Sequence, residues 1–159
     1  MVILQDVREK NPIPFKDAGV TVEVVHLDTG DYSIRGLENI FRAERKTPKE
    51  LFQCCGSDRE RFRRQLQRLG AFPVRALIIE GSLTDAWKKP PGTGVTERNV
   101  IFRISTWSVE FGVPLWFLGR RSPQMVNAVV DAFEAVYRFY RSKPGWISSW
   151  NRLMSNGGR

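Results

Sequence analysis

Two cysteines and one histidine are all the thiol and imidazole metal ligands that this chain of 159 residues contains. The cysteines, Cys54 and Cys55, are adjacent, a spacing that seldom closes a disulfide, so no disulfide framework is expected and a reducing, intracellular setting fits. One histidine and two cysteines leave no zinc site to build. Any metal must be held by oxygen, which points to Mg2+ or Mn2+. Long apolar runs are also missing, and nothing approaches the roughly 20 residues needed to cross a bilayer. The first ten residues, MVILQDVREK, reach an acid at Asp6 with no basic stretch before it, unlike a secretion signal. Acids are the scarcer charge. Against 17 Asp and Glu stand 25 Lys and Arg, a formal net charge of +8, and 18 of the 25 are arginine. Arginine suits bidentate phosphate contacts, so a polyanionic partner, nucleic acid above all, is expected.

The length suits one domain with a real core. Residues 2–6 read as a short buried strand and 10–18 as a proline-containing loop. VTVEVVHL at 20–27 reads as a strand, DTGD at 28–31 as a turn, and 32–34 and 40–44 as two more strands. Thr47-Pro48 signals a helix start, and Ser57 is the expected cap of a second helix over 58–69. That helix carries Arg59, Arg61, Arg63, Arg64 and Arg68 around an apolar stripe of Phe62, Leu66 and Leu69. VRALII at 74–79 is a buried strand, 85–96 a mobile loop, 97–111 a helix and 113–118 a strand. Ser122-Pro123 opens a long helix to about Arg141, apolar over a wide face. The expected fold is α/β, a central mixed sheet flanked by helices. Residues 1–141 are read as the domain. Residues 142–159 are read as a C-terminal tail without an assigned element, partly disordered.

The chemistry concentrates in GDYSIRGLENIFRAERK, residues 30–46. Asp31 starts one strand and Glu44 ends the next, so antiparallel pairing makes the two carboxylates neighbours. Glu44 and Lys46, two apart on a strand, share a side. Two carboxylates and a lysine at one point are what metal-assisted phosphodiester hydrolysis needs: the carboxylates hold the ion, the ion polarises the phosphate, and the lysine meets developing charge. Taken singly, Asp31 also reads as a turn residue and Glu44/Lys46 as an edge-strand ion pair.

Further motifs narrow this. Asp6-Val7-Arg8-Glu9 follows the first strand, Gly30-Asp31 the next, and Glu44-Arg45-Lys46 is followed by Glu50. With RFRRQL at 61–66, LIIEG at 77–81 and the GVP-plus-strand at 112–118, the sequence resembles the nuclease domain of XPF-type structure-specific endonucleases over about residues 2–140. That resemblance implies a restriction-endonuclease-like core and a site of Asp6, Glu9, Asp31, Glu44, Arg45, Lys46 and Glu50. Asp31 and Glu44 would be the principal metal ligands and Asp6 a further one. Glu9 would line the same pocket, Lys46 would be the catalytic lysine, and Arg45 would brace the far side of its strand or pair with Glu50. One departure is visible: Glu50 stands where the family has Asp.

The implied partner is DNA, branched at a flap, fork or other junction. Arg8, Arg59, Arg63, Arg64, Lys88 and Lys89 are the candidate phosphate contacts, with Trp87 beside Lys88 as a stacking platform; a solvated helix face and a bare solvent loop are the plainer readings. Many relatives continue into helix-hairpin-helix modules, for which this chain has no counterpart. The resemblance also implies a homodimer or heterodimer through the C-terminal helical face, although simple packing on the sheet accounts for that face equally. Competing functions are a non-catalytic DNA-binding subunit, a nuclease indifferent to DNA shape, and an RNA-processing enzyme.

Overall fold

The computed structural model describes residues 1–81 and 89–156. Six strands form one mixed sheet: β1 (Val2–Asp6), β2 (Thr21–Val25), β3 (Tyr32–Ile34), β4 (Phe41–Lys46), β5 (Val74–Ile79) and β6 (Leu115–Phe117), in the order β2-β1-β3-β4-β5-β6. β3 runs antiparallel to both its neighbours, while β1/β2, β4/β5 and β5/β6 are parallel pairs. α1 (Pro48–Cys54), α2 (Arg59–Leu69) and α3 (Glu97–Phe111) cover one face. α4 (Pro123–Arg141), α5 (Pro144–Asn156) and a 3-10 turn at Phe15–Ala18 cover the other. This is the α/β architecture expected from the sequence.

The strands sort their side chains with the period of two that a pleated backbone imposes. On β4, Phe41 and Ala43 join the α4-side core, and on β5 Ala76 and Ile78 alternate with Leu77 and Ile79, which belong to the α1–α3 side. Phe133 of α4 reaches down to Phe15 and Phe41, the latter edge-on at 4.7 Å. Such aromatic contacts add about 0.5–1.5 kcal/mol each beyond area burial. α1 is closed by a full capping box: Thr47 accepts from the Glu50 N–H and the Glu50 carboxylate accepts from the Thr47 N–H.

Three local expectations shift. The second helix begins after Asp58 rather than Ser57, because the Asp58 carboxylate accepts from Gln53 and Arg61 and holds the turn from the side. The last strand shrinks to Leu115–Phe117, since Val113 donates back to Ser108 in the left-handed Gly112 ending of α3 and Pro114 has no N–H to give. The stretch after Ser142, whose sequence pattern marks no element, forms α5. Ile147 and Trp150 pack on the α4-side core, and the Trp150 indole donates to the Asn39 carbonyl at 2.8 Å. Among the described residues no helix is long and apolar enough to cross a membrane.

Candidate active site

β3 and β4 meet with Tyr32 opposite Ala43, which places Asp31 beside Glu44 at the end of the sheet. The approach depends on Gly30. Its φ of +79° is left-handed, and a Cβ there would lie 3.0 Å from the Ala43 carbonyl that accepts the Asp31 N–H at 2.8 Å. Asp31 then returns the contact, its Oδ2 accepting from the Arg45 N–H at 2.8 Å. Glu44 and Lys46 point to the α1–α3 side and open on a pocket of about 240 Å³. Asp6, Arg8, Asp28 and Thr29 line one wall, and Arg61, Phe62, Gln65 and Arg68 of α2 line the other.

Burial sets the electrostatics of this pocket. Glu44 is fully buried, and loss of water raises its pKa against the opposing pull of Lys46, whose Nζ donates to Oε1. Gln65 lends the carboxylate further stabilisation, yet Oε2 is left without a hydrogen-bond partner. Asp31 is pushed up to about 7, first by burial and then by the Glu44 charge. Lys46 responds in the other sense. Burial alone would lower its pKa, but the Glu44 and Asp31 carboxylates hold it raised and the ammonium charged. Two acids that destabilise each other, one with an orphaned buried oxygen, form a hard-oxygen donor set that a small divalent cation would relieve. Asp31 and Glu44 would hold it. Among the described residues no group of three or more His, Cys, Asp or Glu side chains converges to hold a metal ion.

The other sequence-derived candidates divide. Asp6 lines the pocket, but both its oxygens are engaged: Oδ1 accepts from the Arg8 N–H at 2.9 Å and the Arg8 Nε at 2.7 Å, and Oδ2 from the Leu27 N–H at 2.6 Å. Burial works to raise its pKa, and these donors outweigh it and keep Asp6 lowered and ionised. Arg8 lies beside it on the rim, largely exposed. Glu9 is carried to the far side of β4, where its carboxylate receives Arg45 at 3.2 Å and the Asn11 N–H at 2.7 Å. Arg45 faces the same way, 3.3 Å from Glu80 and 3.8 Å from Glu50, so it braces the back of the strand. Glu50 turns its Oε2 to the Thr47 cap, accepting from the Thr47 N–H and hydroxyl at 2.7 Å each. Glu9, Arg45 and Glu50 thus form one network behind the pocket rather than part of its wall.

The arginines of α2 also divide. Arg63 pairs with Glu110 and stacks on Phe111, Arg59 borders a separate groove, and Arg64 is exposed. The pocket takes Arg61, Gln65 and Arg68 instead. Their spacing of i, i+4 and i+7 marks one flank of the stripe Phe62/Leu66/Leu69, a signal that the sequence carried. Lys89 is exposed and its N–H donates to Glu97; Trp87 and Lys88 lie outside the described residues.

Residues 4–122 match the ERCC4 domain family. The chain belongs to that family. It has the XPF-type nuclease fold, and XPF from Aeropyrum pernix superimposes on it with a TM-score of 0.65 at 21% identity over 99% of this chain and 73% of that one. The Aeropyrum pernix XPF structure in complex with DNA gives a TM-score of 0.61 at 22% identity, over 98% of this chain and 66% of that one. No curated protein matches. Within the ERCC4 domain, strand pairing brings Asp31, Glu44 and Lys46 together over an open pocket that Asp6 also lines.

Proposed function

We propose that this chain is a divalent-metal-dependent DNA endonuclease, acting inside the cell, that hydrolyses one strand beside a single-strand/double-strand junction such as a flap or fork. The observation that carries this is the Asp31–Glu44 pair: two neighbouring acids, one with an unpartnered buried oxygen, facing an arginine-edged pocket. When bound, Mg2+ or Mn2+ supplies Lewis-acid polarisation of the scissile phosphate. The chain's own groups do the rest. Arg61 and Arg68 grip the phosphates entering the pocket, and Gln65 adds a neutral hydrogen-bonding group beside them. The Lys46 Nζ, held charged by its two acids, faces the negative charge that builds on phosphorus as water attacks. Arg45, clamped behind by Glu9 and Glu80, fixes the strand that presents Glu44 and Lys46. We place a homodimeric or heterodimeric contact on the C-terminal helices, where Phe139, Trp146 and Leu153 are exposed.

Membership of the ERCC4 domain family and the likeness to an XPF solved with DNA support this reading. The test is cleavage of a labelled 3′-flap DNA with Mg2+ by wild type and Asp31→Asn. Cleavage lost in the variant with binding retained supports it. A wild type that binds the flap tightly, but cuts no flap, fork, duplex or single strand, sinks it. That result favours a non-catalytic DNA-binding subunit, to which the fully engaged Asp6 carboxylate lends support.

A further inference from the structure

α2 has arginines on both flanks. One flank, Arg61 and Arg68, borders the candidate active site. The other borders a second, open groove of about 560 Å³ between α2 and α3, lined by Arg59, Arg98, Asn99, Phe102, Arg103, Thr106 and Trp107. The lining holds three guanidinium groups and no carboxylate, and the Glu60 side chain pairs with Arg59 from outside it at 3.5 Å. Arg103 is oriented by donation to the Cys55 carbonyl, and among the described residues Arg98 forms no ion pair. Phe102 stands 71% exposed beside them, while Trp107 is buried beneath, edge-on to Phe62.

We propose that this groove binds the single-stranded arm of the DNA as it leaves the candidate active site, with Arg59, Arg98 and Arg103 on phosphates and Phe102 under an unpaired base. The proposal rests on the nuclease reading above and extends it to a site that reading does not use. Charge complementarity selects a polyanion. The aromatic selects a single strand, because a base can lie flat on Phe102 only when it is unpaired. Continuity supplies the path. A helix is about 10 Å across, so a strand of only a few nucleotides spans α2 from pocket to groove. A strand held on both flanks of α2 gives the enzyme a reason to prefer DNA with a single-stranded arm.

The experiment is fluorescence anisotropy in EDTA with a labelled 20-nucleotide oligothymidine and a blunt duplex. It compares the full chain with Arg98→Ala/Phe102→Ala, and with Arg138→Ala as a charge control on α4. Both groove residues are exposed, and an unchanged melting curve confirms that the double variant folds. The expected result is a loss of about 10-fold or more in oligothymidine affinity, with a salt slope shallower by about 0.7 and a smaller loss on the duplex, while Arg138→Ala stays within about two-fold. Unchanged oligothymidine affinity overturns the proposal. So does an equal loss on both DNAs, which marks a general charge effect, and so does lost self-association with DNA binding intact, which assigns the face to protein. Groove-dependent binding by a wild type that never cuts DNA leaves this proposal standing and removes the nuclease reading instead.

Discussion

The Asp31 carboxylate accepts the backbone N–H of Arg45 at 2.8 Å, across the β3–β4 pair. One hydrogen bond thereby joins the acid at the start of one strand to the peptide between Glu44 and Lys46. The arrangement is costly, because it seats Asp31 next to a buried Glu44. It persists because strand pairing and the Gly30 turn over-determine it.

That cost gives a pH dependence with a definite sign. The folded-state pKa of Asp31 is raised from 3.8 to about 7, and Glu44 shifts in the same direction. A raised carboxylate favours folding while protonated, so its contribution is complete below about pH 4 and is lost as pH rises through 7. Asp31→Asn keeps an oxygen for the Arg45 N–H and removes the charge. The metal-free variant is expected to melt about 3–10 °C above metal-free wild type at pH 8, and the gap closes near pH 4. Saturating Mg2+ is expected to raise wild type and leave the variant unmoved. Calorimetry across that pH range checks both, and a wild type that melts with the variant at pH 8 contradicts the repulsion.

Lys46 is the counter-charge of a fully buried acid. Lys46→Met strands the Glu44 carboxylate and is expected to cost about 3–5 kcal/mol, whereas Glu44→Gln/Lys46→Met costs much less because no charge is left unpaired. Urea titrations of the two single variants and the double give the coupling directly. A double variant whose loss equals the sum of the two single losses would show that the pair is uncoupled.

Gly30→Ala meets both a left-handed backbone and a 3.0 Å approach to the Ala43 carbonyl. The expected loss is about 1–2 kcal/mol. Cleavage is expected to fall further than that stability change explains, because relief of the clash moves Asp31 off Glu44. A thermal melt paired with a flap-cleavage rate separates the two effects.

Arg61→Ala/Arg68→Ala removes the two cations that α2 contributes to the pocket rim. DNA affinity is expected to weaken, with the salt slope falling by about 0.9 for each phosphate that the variant no longer neutralises. Arg63→Ala, at a residue that lies off the pocket and pairs with Glu110, is expected to change the slope little. Anisotropy at several salt concentrations compares them; equal slopes for both variants would remove the rim from the binding surface.

Much of this molecule was legible in its sequence because the informative signals are local. Alternation with a period of two places Glu44 and Lys46 on one side of β4 and Arg45 on the other, whatever surrounds them. Thr47-Pro48 and Ser122-Pro123 start helices through backbone geometry alone. Gly30-Asp31 needs only a left-handed turn before a strand. The spacing of Asp31, Glu44 and Lys46 therefore determined the heart of the site. Tertiary structure decided which partner each remaining charge found, since a carboxylate or guanidinium is satisfied by whatever packing brings within hydrogen-bond reach. Glu9 was turned to Arg45 and away from the pocket, Asp6 was taken up by Arg8 and Leu27, and the phase of α2 against the sheet chose Arg61 and Arg68 over Arg63 and Arg64. The same docking of α2 against α3 made the second groove, for which no stretch of sequence carries a pattern.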